Sequence, residues 1–254
     1  VHALITNDDG IESRGLAVLA RVALEAGYEV TVAAPWQEYS GASASLLGVE
    51  RDGRLVVEEQ RAPDLPDGVR SLAVQASPGL ISFLAVHDAF GPRPDVVLSG
   101  VNRGPNTGHA VIHSGTVGAA LSAMTHGVHG LAVSNVSSDP QHWDAAALVA
   151  AHGLRWLTGR PATDGVLNIN VPDLPPHEVR GVRQAPLADF GAVQAQVEED
   201  SGRYTVTYSE IDPTQDEESD AGLLAAGWAT MTLIQAPAFD AAVELPGLEG
   251  PLRA

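Results

Sequence analysis

The stretch His2-Ala3-Leu4-Ile5-Thr6-Asn7-Asp8-Asp9-Gly10-Ile11 decides how this chain is read. His2 to Thr6 is a short apolar strand, and it runs straight into two adjacent acids and a glycine. Working outward, Leu16, Val18, Leu19, Val22 and Leu24 recur at helical spacing over Leu16 to Ala26, and Gly27 closes the pattern. Glu29 to Ala34 is a second strand, β-branched at Val30, Thr31 and Val32 and stopped by Pro35. The alternation continues with strands at Ser71 to Gln75, Pro94 to Ser99, Gly130 to Ser134 and Val166 to Val171. Between them, helices are predicted at Leu80 to Phe90, Thr116 to His126 and Trp143 to Leu157, the last packing through Ala residues with Leu148, Leu154 and Trp156. Strand and helix in alternation predict an α/β fold of parallel βαβ units, covered on both faces. Sites in such sheets lie beyond the carboxyl ends of the strands.

Beyond Gly181 the period changes. Val182 to Leu187, Gln194 to Val197 and Tyr204 to Tyr208 alternate in twos and predict antiparallel hairpins projecting from the sheet. Asp212 to Asp220 reads as an acidic loop, solvated over Asp216 to Asp220, Ala229 to Ile234 as a returning strand, and Pro237 to Ala254 as a Pro- and Gly-rich tail.

Composition narrows the function. The chain of 254 residues is long enough for one large domain with an elaborated lobe. It has no cysteine, which excludes disulfides, thiolate metal sites and a cysteine nucleophile. Every one of its 14 basic residues is Arg. A formal net charge of −18 repels nucleic acid backbones, so no nucleic acid polymer is expected as partner, and an anionic substrate needs a local cation. No apolar run is long enough to span a membrane, and the first residues enter a strand with no basic stretch before them, which predicts a cytoplasmic protein.

Asp8 and Asp9 repel each other unless a cation binds them, and at a strand end they make a hard-oxygen site suited to Mg²⁺ or Mn²⁺. Read alone, Asn-Asp-Asp-Gly is more simply a turn with a capping acid. A dinucleotide fold wants a glycine-rich turn here, and carboxylates would repel its pyrophosphate. Receiver-type domains and aspartate-nucleophile phosphatases place acids here but use a Lys beside them, and this chain has none. The second strand ends in Ala34-Pro35-Trp36-Gln37-Glu38-Tyr39-Ser40-Gly41-Ala42-Ser43. A buried strand leads into Ser99-Gly100-Val101-Asn102-Arg103-Gly104-Pro105-Asn106-Thr107-Gly108, and Ser114-Gly115-Thr116-Val117 opens a helix, where free N–H groups and hydroxyls bind anions. Taken singly, Ser-Gly-Thr is also a plain helix cap.

Together, Thr6-Asn7-Asp8-Asp9-Gly10-Ile11, Ala34-Pro35 with Ser40-Gly41-Ala42-Ser43, Ser99 to Asn106 and His113-Ser114-Gly115-Thr116-Val117 resemble the SurE (survival protein E) family. The likeness is specific to about Ser134 and weaker in Leu167 to Pro172 and Gly227 to Thr232. The resemblance implies a Rossmann-like three-layer core over residues 1–180, a hairpin extension used in oligomers over 181–236, and a tail over 237–254. It implies a divalent-metal phosphatase acting on nucleoside monophosphates, as a homodimer or homotetramer. By matching positions, Asp8, Asp9, Ser40 and Asn102 would bind the metal, and Asn106, Ser114, Gly115 and Thr116 would cradle the phosphate. The catalytic set would be Asp8, Asp9 and Ser114. Asp8 orients or deprotonates the attacking water, with an aspartyl-phosphate route as the alternative. Trp36, Tyr39, the segment Ala76 to Ser82 and His109-Ala110 depart from the family pattern. The rings of Trp36 and Tyr39 add substrate-binding surface for a base, an aromatic ring or a bulky group, or else simply pack. A phosphatase for a non-nucleotide ester and a non-catalytic scaffold are the competing functions. His113 abuts Ser114, whereas His87, His126, His129, His142, His152 and His177 read as surface or packing residues.

Overall fold

Strand β1 (His2–Thr6) is central because both of its faces are apolar. Ala3 and Ile5 enter one core cluster and Leu4 enters another on the opposite face. The computed structural model describes residues 1–189, 193–200, 203–210 and 216–235. The other strands, in chain order, are β2 (Glu29–Pro35), β3 (Glu50–Arg51), β4 (Arg54–Leu55), β5 (Val57–Glu59), β6 (Arg70–Val74), β7 (Val96–Arg103), β8 (His129–Asn135), β9 (Val166–Val171), β10 (Val182–Gln184), β11 (Val193–Asp200), β12 (Arg203–Glu210) and β13 (Ala229–Ile234). The helices are α1 (Gly15–Glu25), α2 (Pro78–Ala85), α3 (Gly115–Met124), α4 (Trp143–Thr158) and α5 (Asp220–Ala225).

The main sheet has nine strands in the order β10-β13-β9-β8-β7-β1-β2-β6-β5. From β6 through β9 every neighbour is parallel, so both faces must be covered. α1 and α4 share the core on one face, and α2 and α3 share the other. The chain winds outward from β1 to β2 and β6, then crosses back to β7 on the far side of β1. The carboxyl ends of β1 and β7 therefore diverge into different loops, which is where open α/β sheets hold their ligands. Asp8 and Asn102 stand at this switch point.

Several expectations are corrected. Val182–Gln184 is a three-residue strand, and it pairs in parallel with β13 at the sheet edge, not as an arm of an antiparallel hairpin. Short exposed strands carry little period-two information, so only the partner decides direction. The other two segments do form an antiparallel ribbon, β11 with β12, outside the main sheet. The helix expected to reach Phe90 ends at Ala85, followed by turns in which Asp88 takes a positive φ of 64°. On α4 the buried stripe is Ala145, Ala146, Val149, Ala150, Leu154 and Leu157, whereas Leu148 is 61% exposed and Trp156 lies under Arg160. The β3–β4 hairpin went unread, although Asp52-Gly53 with φ of 53° and 69° is the two-residue turn that favours it. Asp220 is fully buried at the start of α5, not part of a solvated loop. The tail from 237 lies outside the described residues.

α3 packs against the loop after β2 with no room to spare. A Cβ on Gly118 would lie 2.2 Å from the Ser43 carbonyl oxygen and 2.3 Å from its carbon, both backbone atoms. Gly118→Ala should therefore lower stability by about 1–3 kcal/mol through overpacking, despite the better helix propensity of Ala. Urea unfolding measures it, and an equal or raised midpoint would show that the two segments part freely.

Candidate active site

The turn after β1 is built by Asn7. Its buried side chain donates to the Gly10 carbonyl at 2.9 Å and accepts the Gly10 N–H at 3.2 Å, closing the loop around Asp8 and Asp9. Gly10 has φ +94°, and a Cβ there would meet the Gln37 backbone at 3.0 Å, so the position requires glycine. Two backbone bonds stitch this turn to the end of β2 and the loop after it: Ile11 N–H to the Pro35 carbonyl at 2.7 Å, and Tyr39 N–H to the Asp8 carbonyl at 2.8 Å.

The two acids are held from opposite sides. Asp8 is gripped by the start of α3, where the Thr116 hydroxyl donates to Oδ1 at 2.5 Å and the Thr116 N–H to Oδ2 at 3.0 Å. Gly115 must lack a side chain, because its Cβ would lie 2.8 Å from Asp8 Oδ2. Asp9 is gripped by β7, whose Arg103 donates its backbone N–H to Oδ2 and its Nε to Oδ1, each at 3.2 Å. The Asp9 side chain is 5% exposed and the Arg103 side chain 43%.

Burial raises Asp8 above the ordinary carboxylate range, against the pull of its bonds to Thr116 and Gly115. Burial and then the neighbouring Asp8 charge push Asp9 from 3.8 to about 6, although Arg103 opposes both. Arg103 reaches Asp9 alone, so a single half-exposed guanidinium stands against two adjacent buried acids. This site is short of positive charge, and its donors are hard oxygens, so it fits a divalent cation. Among the described residues no group of three or more His, Asp or Glu is arranged to hold a metal ion by itself. The sequence expectation adds Ser40 and Asn102 to the two acids as further oxygen ligands.

The other expected residues lie at the end of β7, in the loops after β2 and β7, and at the start of α3. Ser40 lies exposed in the loop that bonds Asp8, and its hydroxyl donates to Glu38 Oε1 at 2.6 Å. Asn102 follows an irregularity in β7 and donates its amide to the Gly104 carbonyl at 2.8 Å, which leaves the amide oxygen for a cation. Ser114 caps α3 by accepting the Val117 N–H at 3.1 Å, and its hydroxyl hydrogen remains to be donated. Thr116 was expected on the phosphate, but its hydroxyl is spent on Asp8. Asn106 gives its amide to Ser134 Oγ at 2.9 Å. Trp36 is 46% exposed just past β2, and Tyr39 is half-buried.

Sequence reasoning missed the residues that hold Asn106. Asn170 accepts its N–H at 2.8 Å, and Asn168 and Asn170 both donate to its carbonyl, at 2.8 and 2.9 Å. Both are fully buried on β9. Two amides at i and i+2 in an apolar strand were the available signal, since they share one face and need polar partners there. Asn7 was passed over as a turn residue, and Asp220 as a solvated acid.

The family model described as Survival protein SurE matches residues 3–192. The 5'/3'-nucleotidase SurE of Cronobacter sakazakii is 39% identical over 210 residues, covering 82% of this chain and 78% of that one. The 5'-nucleotidase SurE of Stenotrophomonas maltophilia is 38% identical over 197 residues, covering 74% and 70%. The solved structure of the SurE protein from Aquifex aeolicus superposes with a TM-score of 0.75 at 25% identity, over 92% of this chain and 93% of that one.

The strain in the acid pair has a measurable sign. Protonated Asp9 contributes its full stability below about pH 4, and that contribution is lost as pH rises through about 6, where the folded protein must ionise it. In chelator, Asp9→Asn should therefore be more stable than the parent at pH 8, by up to about 3 kcal/mol, and equal to it near pH 4. Chemical denaturation at the two pH values checks this; a destabilised variant at pH 8 would mean that Arg103 neutralises Asp9 fully.

Proposed function

The chain belongs to the SurE family, and from that premise we propose that it is a divalent-metal-dependent phosphomonoesterase hydrolysing nucleoside monophosphates, of the 5'/3'-nucleotidase type. The observation that carries this reading is the buried Asp8–Asp9 pair at the switch point, under-neutralised by Arg103. Asp8, Asp9, Ser40 and Asn102 would hold Mg²⁺ or Mn²⁺. When bound, the metal supplies positive charge for the phosphoryl oxygens and lowers the pKa of a water.

The remaining work falls to the chain's own groups. Asp8 orients or deprotonates the attacking water, and Thr116, bonded to both carboxylate oxygens, fixes its plane. Ser114 and the start of α3 donate to the phosphoryl oxygens, where the helix dipole favours negative charge. Asn106 lines the same loop, locked by Asn168 and Asn170.

Trp36 and Tyr39 favour esters carrying a flat group. Trp36 stands half-exposed in the loop whose Tyr39 N–H bonds Asp8, so its ring is available for stacking on a base. The same rings would also suit a bulky non-nucleotide ester. A homodimer or homotetramer fits the ribbon β11–β12, because two strands outside a sheet are marginal unless another surface covers them. Among the described residues no helix is long and apolar enough to cross a membrane; the cytoplasm is the location we assign.

Hydrolysis of a panel of phosphomonoesters should stop in chelator and return with Mn²⁺ or Mg²⁺. Asp8→Asn should cut kcat at least a hundredfold, while Ser114→Ala should cost about 2.7–4 kcal/mol of transition-state stabilisation. Full activity in chelator would sink the metal site, and no turnover of any ester under any metal would leave a non-catalytic scaffold. Trp36→Ala should raise KM for a nucleoside monophosphate several-fold more than for glycerol phosphate. Equal changes for both would make Trp36 a support of its own loop.

A further inference from the structure

Asp220 has no part in the site described above, yet it is fully buried. It is not needed to cap α5, because Ser219 does that by accepting the Gly222 N–H at 3.2 Å. Its carboxylate faces three backbone donors from three segments. Gly108 N–H reaches Oδ2 at 3.0 Å and Oδ1 at 3.2 Å, Ala188 N–H reaches Oδ1 at 2.9 Å, and Ala221 N–H reaches Oδ1 at 2.8 Å. Two backbone bonds lace the same junction, His109 N–H to the Ala188 carbonyl and Asp220 N–H to the Pro186 carbonyl. Among the described residues this buried carboxylate is bonded only to neutral N–H groups, a costly way to hold a fold together. Burial accordingly raises its pKa while the three N–H groups pull it down.

The place of Gly108 shows what this arrangement holds. Gly108 starts the short 3₁₀ helix Gly108–His113, which ends on Ser114, the cap of α3. Gly115 and Thr116 follow at once and grip Asp8. Asn106 lies two residues before Gly108. We infer that Asp220 is a positioning residue for catalysis: it clamps Gly108, and through the 108–113 turn it sets where Ser114 meets the phosphoryl group. This rests on the reading that Ser114 faces that group. Displacing a positioned donor by about 1 Å can cost on the order of a hundredfold in rate.

The test uses the full chain and two variants. Asp220→Asn keeps the shape but turns an acceptor into a donor facing N–H groups. Asp220→Ser keeps a short acceptor that cannot span to Gly108. Amide hydrogen exchange is followed without metal, and hydrolysis of a nucleoside monophosphate is followed with Mn²⁺, rates being scaled to the folded fraction from circular dichroism. In a folded variant, exchange over 105–114 should accelerate at least tenfold while 3–9 keeps its protection. Its kcat should fall at least tenfold with KM changed less than threefold. Unchanged exchange over 105–114 overturns the clamp, whether or not the parent turns over substrate. Faster exchange with parental kcat overturns the positioning role, and so does failure of both variants to fold, which would make Asp220 part of the framework alone. A parent inactive toward every phosphomonoester defeats the proposed function instead. The clamp is then judged by exchange together with inorganic phosphate binding, which should weaken at least tenfold in the variants and would be unchanged if Asp220 positions nothing.

Discussion

Everything at this site follows from holding two adjacent carboxylates side by side out of water. Asp8 and Asp9 repel each other, and burial worsens the repulsion. The fold answers with neutral donors on one and half a counter-charge on the other. Thr116 and the first N–H groups of α3 hold Asp8, where the positive end of the helix dipole helps. Arg103 holds Asp9 from β7. Each device comes from a different element, so the acid pair exists only when β1, β7 and α3 are docked together.

That dependence explains the glycines and amides around the site. Gly10 lets the turn close against the loop after β2, and Gly115 lets α3 come within contact of Asp8. Asn7 closes the first turn from inside, while Asn168 and Asn170 on β9 fix the backbone of Asn106. Such buried amides act by geometry: each satisfies a specific loop group and leaves it little freedom to move. The loop of Asn106 is thus supported from β9, a strand that holds none of the candidate site residues.

The same logic reaches the far side of the chain. After the sheet's parallel core is complete, β13 returns antiparallel to β9, and α5 precedes it. The start of α5 brings Asp220 beneath the loop that leads to Ser114. The segment beyond Gly181 is therefore more than an appendage, since its root touches the loop between β7 and α3 while its ribbon, β11–β12, stands outside the main sheet.

What the sequence determined by itself was the alternation of strand and helix, the acid pair at the end of the first strand, and the order of the polar loops. These are local facts: periodicity reports which face is buried, and Asp-Asp-Gly after an apolar run reports a charged strand end. Thr116 reads from sequence as one more hydroxyl at a helix start, and Asp220 as one more acid in an acidic run; Val182–Gln184 is too short to declare its partner. Their assignments depend on which distant backbone arrives within about 3 Å, as when Thr116 meets Asp8 across 108 positions or Asp220 meets Gly108 across 112. Only the tertiary structure decided those meetings, because hydrogen bonding and burial are properties of a site in space and no single residue carries them along the chain.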